Sequence, residues 1–220
     1  MIDYFYIQYI IMCYSSEASI GAFIFSSILS YILYKRNKNN DRSIAILIFG
    51  ISTIQIAEFI MHMDPKCKSD INKYGSVLGM FAIIFIQPLF SILSSYYKQR
   101  KISKEIILQI ILWIIYVLYI INYYWPKSSE WCSKKNCIGD CKLNWNWWKS
   151  GGDYIQQILY TLIILIIPIY VMYRLEYKAF IWLLYIFLSV VFIYTNKYFS
   201  TIWCFWGPMG AFLLQYFLIY

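Results

Sequence analysis

Long apolar runs alternate with short polar stretches along this chain. From the amino terminus the runs cover roughly residues 17–34, 43–64, 73–97, 105–125, 153–173, 179–194 and 201–220. Each is close to the ~20 residues that an α-helix needs to cross the hydrocarbon of a bilayer. The pattern predicts an all-α, polytopic membrane helix bundle of about seven transmembrane helices. Residues 1–12, MIDYFYIQYIIM, are apolar and aromatic but too short to span. They lack a basic start and a small-residue cleavage site, so the first 16 residues read as an interfacial segment before a single transmembrane domain at 17–220.

The second run, SIAILIFGISTIQIAEFIMHMD, breaks the apolar rule. It carries Ser52, Gln55, Glu58 and His62, which fall on one helical stripe because steps of three and four return to the same face. Polar and ionisable groups at membrane depth usually face a bundle interior or a wet cavity. The third run adds Gln87, so the expected intramembrane polar cluster is Gln55, Glu58, His62 and Gln87. Two readings stay open. One is a proton or cation relay through Glu58 and His62; the other is a hydrogen-bonded knot of Gln55, Glu58 and Gln87 that fixes helix register, with His62 near the outer surface. Glu17, Asn196 and Lys197 stand near the ends of runs and are expected at the outer mouth.

Pro88, Pro168 and Pro208 lie inside runs three, five and seven, where each removes a backbone donor and frees the carbonyl four residues earlier. Gly75, Gly79 and Ala82 form a small-residue face that permits close helix approach.

Composition agrees with the pattern: the 220 residues are 61% hydrophobic and 14% charged, leaving no room for a separate soluble domain. The net charge of +8 does not point to nucleic acid, because the basic residues are divided among the connections between apolar runs. There they set topology and meet anionic headgroups. All four arginines, Arg36, Arg42, Arg100 and Arg174, follow runs one, three and five. Those connections are expected to be cytoplasmic, with the amino terminus outside and the carboxyl terminus in the cytoplasm.

On that topology Cys13, Cys67, Cys132, Cys137, Cys141 and Cys204 all fall at or beyond the outer face. Six cysteines on an oxidising side predict three disulfides. The favoured arrangement joins Cys13 to Cys204 and Cys67 to one of Cys132, Cys137 or Cys141. The outer loop at 126–152 holds that cysteine trio with Trp145, Trp147 and Trp148, whose rings suit interfacial anchoring or a protein partner. Spacings of five and four among the three cysteines are not the paired C-x-x-C of a zinc site, so no metal is expected.

The segment MCYSSEAS, at 12–19, resembles the MCWSPEAS-type opening motif of a family of small multi-pass membrane proteins of unknown function, found in bacteria and large DNA viruses. IQIAEF at 54–59 and STIWC at 200–204 are similar to the same family. Tyr14 and Ser16 depart from the motif's Trp and Pro, and residues 1–11 precede it. The resemblance implies a multi-pass fold and weight for Glu17, Gln55, Glu58 and Cys204. With the Ile-, Asn- and Lys-rich bias it also implies a host or virion membrane if the source is viral.

One histidine is too few for the metal sites of intramembrane hydrolases, and Ser15, Ser16, Ser200 and Cys204 have no second histidine near them for nucleophilic catalysis. A seven-helix retinal protein needs a lysine deep in its last span, and Lys197 lies at that span's edge. The expectation is a multi-pass membrane protein of the transporter or channel type, for a small ion or solute, with no cofactor. A structural or assembly protein of a membrane is the alternative, and a lipid-modifying enzyme the third.

Overall fold

In the computed structural model, residues 15–124, 132–136, 142–144 and 154–173 are described. Helix α1 spans Ser16–Arg36, α2 Asp41–Ser52, α3 Ile54–Met63, α4 Ile71–Phe81, α5 Gln87–Gln99 and α6 Lys104–Tyr124. Strands β1, Lys134–Asn136, and β2, Lys142–Asn144, pair antiparallel within the loop at 126–152. Helices α7, Tyr154–Thr161, and α8, Ile167–Tyr173, complete the described elements. The short segments Ala82–Ile86 and Leu162–Ile166 are π-helical and join α4 to α5 and α7 to α8. The expectations for residues 1–14, for runs six and seven, for Cys13, Cys137, Cys141 and Cys204, for Asn196, Lys197 and Pro208, and for the tryptophan cluster lie outside the described residues.

Among the described residues, four stretches are long and apolar enough to cross a membrane: Ser16–Arg36, Asp41–Met63, Ile71–Gln99 and Lys104–Asn122. A shorter apolar helix covers Ile158–Met172. These fall on the first five runs of the sequence. Exposed Ile24, Ile28 and Ile32 on α1, and Ile107, Ile111, Ile114 and Leu118 on α6, present large apolar side chains outward, as lipid-facing surfaces do. The buried inventory includes Ser19, Ser43, Ser76, Ser91, Ser94, Gln87 and Gln109. Small and polar residues at helix contacts are the usual adhesive where lipid removes the hydrophobic drive.

Helix α1 begins where Ser15 accepts a hydrogen bond from Ala18 N at 3.1 Å and ends at Asn37, whose left-handed backbone lets its N–H reach Leu33 O. Arg36 then grips Asp41 in a bidentate pair, Nε and Nη2 donating to the two carboxylate oxygens at 2.7 and 2.8 Å, and Lys38 N donates to the same carboxylate at 2.9 Å. The first two spans therefore form a tight antiparallel hairpin. Ser30 Oγ donates to Ala45 O across it at 2.7 Å, and Ser94 of α5 does the same to Ser43 O at 2.7 Å. Helix α1 packs on α2 and α3, α2 on α5, α3 on α4, and α5 on α8, while α6 lies against α5, α7 and α8.

The small-residue face has a structural role. A Cβ at Gly75 would come within 2.9 Å of Met61 N, so α4 and α3 pack at a distance that only glycine allows there. Gly50 plays the same part on α2, where an added carbon would overlap the ring of Phe90.

Both described intramembrane prolines produce the same device. Two residues before Pro88 the π segment Ala82–Ile86 ends, and Gln87 N bonds Ala82 O. Two residues before Pro168 the π segment Leu162–Ile166 ends, and Ile167 N bonds Leu162 O. The five-residue step leaves one carbonyl unused and the proline leaves the next. Neighbouring helices meet them: Trp113 Nε1 donates to Ile84 O at 2.7 Å, while Ser91 Oγ and Gln109 Nε2 donate to Ile163 O at 2.8 and 2.7 Å. These freed carbonyls hold helices together.

Candidate functional site in the second span

The second span is not one helix. Between α2 and α3 the chain tightens at Thr53, where Thr53 N reaches Gly50 O at 3.4 Å and Ile56 N reaches Thr53 O at 3.2 Å, both steps of three. Ser52 Oγ and Thr53 Oγ1 donate back to Phe49 O and Gly50 O at 2.8 and 2.7 Å. Such hydroxyl back-bonding competes with the helical ladder and bends helices. The sequence stripe begins at this break.

All four stripe residues are inside the protein: Ser52 and Gln55 are each 1% exposed, Glu58 0% and His62 9%. Gln87, expected in the same polar cluster, is also 1% exposed, but it belongs to a different set of bonds. Its Nε2 donates to Ile51 O at 3.0 Å, and its Oε1 accepts from Tyr160 OH. Neither end of its amide meets Gln55 or Glu58, so the expected knot of Gln55, Glu58 and Gln87 is not formed. The reason is the break itself, which turns the Ile51 carbonyl toward α5 and satisfies Gln87 one turn below Gln55.

Gln55 is the opposite case. Both its Oε1 and Nε2 are buried without a hydrogen-bond partner among the described residues. A buried amide in that condition costs several kcal/mol on water-to-hydrocarbon scales, ~4–8, and is rare in well-packed interiors. The opposing helix adds a second such group. The α1–α2 hairpin is registered by Ser30 on Ala45 and by the rings of Phe23 and Phe49, 6.3 Å apart. Continuing that register toward the start of α1 brings Ser19, on the same buried stripe as Ser30, to the level of Gln55. Ser19 is 0% exposed and its Oγ is likewise unpartnered. Glu17, exposed in the first turn of α1, lies within electrostatic reach of His62.

Beyond the stripe the helix ends beside His62 are clamped. Asn72, fully buried, shares the two Nδ2 hydrogens among Met61 O, Asp64 O and Ser133 O at 2.8, 3.0 and 2.9 Å, and accepts from Ser133 N at 2.8 Å. Cys67 and Cys132 form a disulfide beside it, one of the pairings expected for Cys67. Asp64 accepts from Lys68 N, Ser69 N and Ser69 Oγ at 3.0, 2.7 and 2.9 Å. The Ser69 backbone N–H, joined by the Lys68 N–H, the Ser69 hydroxyl and the Lys68 charge, holds that carboxyl below its ordinary value.

Several contributors were not singled out from sequence. Gln109 is a lone glutamine inside an apolar run and was readable by the rule that found Gln55. Ser19 and Asn72 sit near run ends, where polar residues are ordinary, and Trp113 and Tyr160 look like packing aromatics. Among the described residues no group of three or more His, Cys, Asp and Glu converges as metal ligands would.

What fold and site together define is a helical protein with several helices able to cross a membrane and a polar interior in the second of them. No family model, curated protein or solved structure matched the chain.

Proposed function

We propose that this is a multi-pass membrane protein of the transporter or channel type, whose second span carries protons or a small cation through a polar passage at Ser19, Gln55, Glu58 and His62. The observation that carries the reading is the contrast between two glutamines of equal burial. Gln87 has both amide ends paired, whereas Gln55 has neither, as expected of a group whose partner is water or a passing solute. The broken helix at Thr53 agrees, since irregular backbone at membrane depth is tolerated where it lines a cavity or is buried in protein. A structural membrane protein is the second reading, favoured by the dense bonding among α5, α6 and the 154–173 segment.

The finer architecture belongs to the same proposal: about seven helices with the amino terminus outside. The Cys67–Cys132 disulfide supports placing the two connections it joins on the oxidising side. Single cysteines placed at Asn39 and Ser103 of a cysteine-free variant should be silent to an impermeant thiol reagent in intact cells, and labelling at either would reverse the orientation.

For the passage, Glu58→Gln should keep the fold, because shape and most hydrogen-bonding capacity survive, while removing the one titratable carboxyl of the buried stripe. Proton flux in reconstituted vesicles, read by an entrapped pH dye, should fall to the rate of protein-free lipid. Undiminished flux in that variant would refute the relay.

A further inference from the structure

At the end of the bundle opposite the disulfide, two arginines share one tyrosine. Arg42, in the first turn of α2, donates from Nη1 to Tyr97 OH at 3.0 Å and from Nε to Tyr34 O at 3.3 Å, and lies 5.1 Å from the Tyr34 ring centroid. Arg100, which ends α5 in a left-handed conformation at φ 58°, stacks over the other side of the arrangement, 3.9 Å from the Tyr97 ring centroid. Stacking on an aromatic face holds a guanidinium flat and leaves edge donors for a planar or tetrahedral anion; in Arg42, whose Nε and one Nη1 hydrogen are already used, those donors are Nη2 and the second Nη1 hydrogen.

Neither guanidinium is paired with a carboxylate among the described residues. Asp41, the acid adjacent to Arg42, is occupied by Arg36 and Lys38 N. Two like charges fixed around one ring repel each other. Arg42 is also placed at a helix amino end, where the dipole favours an anion over a cation. An anion between the two arginines relieves both penalties.

We infer that Arg42, Tyr97 and Arg100 form a binding site for the phosphate of an anionic phospholipid headgroup. The placement selects lipid over a soluble anion. Arg42 is the second residue of the span Asp41–Met63, and Arg100 immediately follows the span Ile71–Gln99, which puts both at headgroup depth. Exposed Tyr34, against Arg42, and exposed Leu93, Tyr96 and Ile102, within seven residues of Arg100 along the chain, offer apolar surface for the acyl chains. The site is independent of the second-span passage and holds whether or not that passage conducts.

The test uses the full chain in a neutral detergent, mixed with equal amounts of phosphatidylglycerol and phosphatidylcholine of matched chains, with retained lipid counted by native mass spectrometry. Wild type should retain phosphatidylglycerol in clear excess. Arg42→Lys with Arg100→Lys, which keeps the charge but loses the fork, should reduce that retention at least about tenfold. Lys98→Gln with Lys101→Gln removes as much charge as two arginine losses without touching Tyr97, and should leave retention nearly unchanged. Should the double lysine variant not fold, Tyr97→Phe, which deletes only the hydroxyl that orients Arg42, is expected to weaken retention severalfold. Equal loss in the Lys98/Lys101 control would assign the effect to general charge and overturn the site. Displacement of the lipid by millimolar inorganic phosphate would overturn the choice of lipid.

Discussion

Gln55 and Gln87 are the same residue at the same burial, and they do opposite things. Replacing Gln87 by leucine strands the Ile51 carbonyl, which costs about 1–3 kcal/mol for a buried group left unpaired, and removes the bond from the Tyr160 hydroxyl. Replacing Gln55 by leucine strands nothing among the described residues and removes an unsatisfied amide. Thermal unfolding in detergent should therefore show Gln87→Leu clearly destabilised and Gln55→Leu equal to wild type or more stable. A Gln55→Leu variant that unfolds as early as Gln87→Leu would mean that Gln55 is bonded in the folded protein, and its place in a passage would go. The sequence placed both residues in one cluster because it saw only their depth along apolar runs. It could not see that the chain tightens at Thr53, since a Ser-Thr pair inside a helix bends it only when both hydroxyls bond backward, a choice made by the surrounding packing.

At the scale of elements, the repeated unit is a π turn followed by one residue and a proline. AIIFIQP in the third span and LIILIIP in the fifth share that spacing, and each delivers freed carbonyls to a neighbouring helix. The prolines were legible as sites of helix distortion. What met the carbonyls was not, because Trp113 and Gln109 lie on a helix whose facing could be fixed only by tertiary packing. The coupling is testable. Trp113→Phe should destabilise the wild-type bundle by about 1–3 kcal/mol, the cost of leaving Ile84 O unpaired. In a Pro88→Ala background the restored N–H can take that carbonyl, so the same change should cost measurably less. A double-mutant cycle with no coupling between the two positions would contradict the assignment.

For the whole molecule, the described spans divide into two regions of different character. The side built from α5, α6 and the 154–173 segment is cross-linked by Trp113, Ser91, Gln109 and Tyr160, and its own unpartnered polar atoms, Ser95 Oγ and Gln109 Oε1, sit on residues or helices already tied by those bonds. The side built from α1 and the second span is registered at its ends, by Arg36 on Asp41 and by Asn72 beneath the Cys67–Cys132 bond, but holds unpartnered Ser19 and Gln55 between them. On the proposed function, the polar, end-clamped side is the passage and the cross-linked side its frame. The helical, membrane-length elements were legible in the run lengths. The division between frame and passage was not, because it depends on which polar groups find each other across spans. The most direct test is proton flux into vesicles reconstituted with wild type, Gln55→Leu and Gln87→Leu under the same pH gradient. The account predicts flux above protein-free lipid for wild type, at least about a tenfold loss for Gln55→Leu, the scale of one lost hydrogen-bonding station, and conduction retained by the folded fraction of Gln87→Leu. Wild-type vesicles no leakier than lipid alone, across proton and monovalent cation gradients, would contradict it.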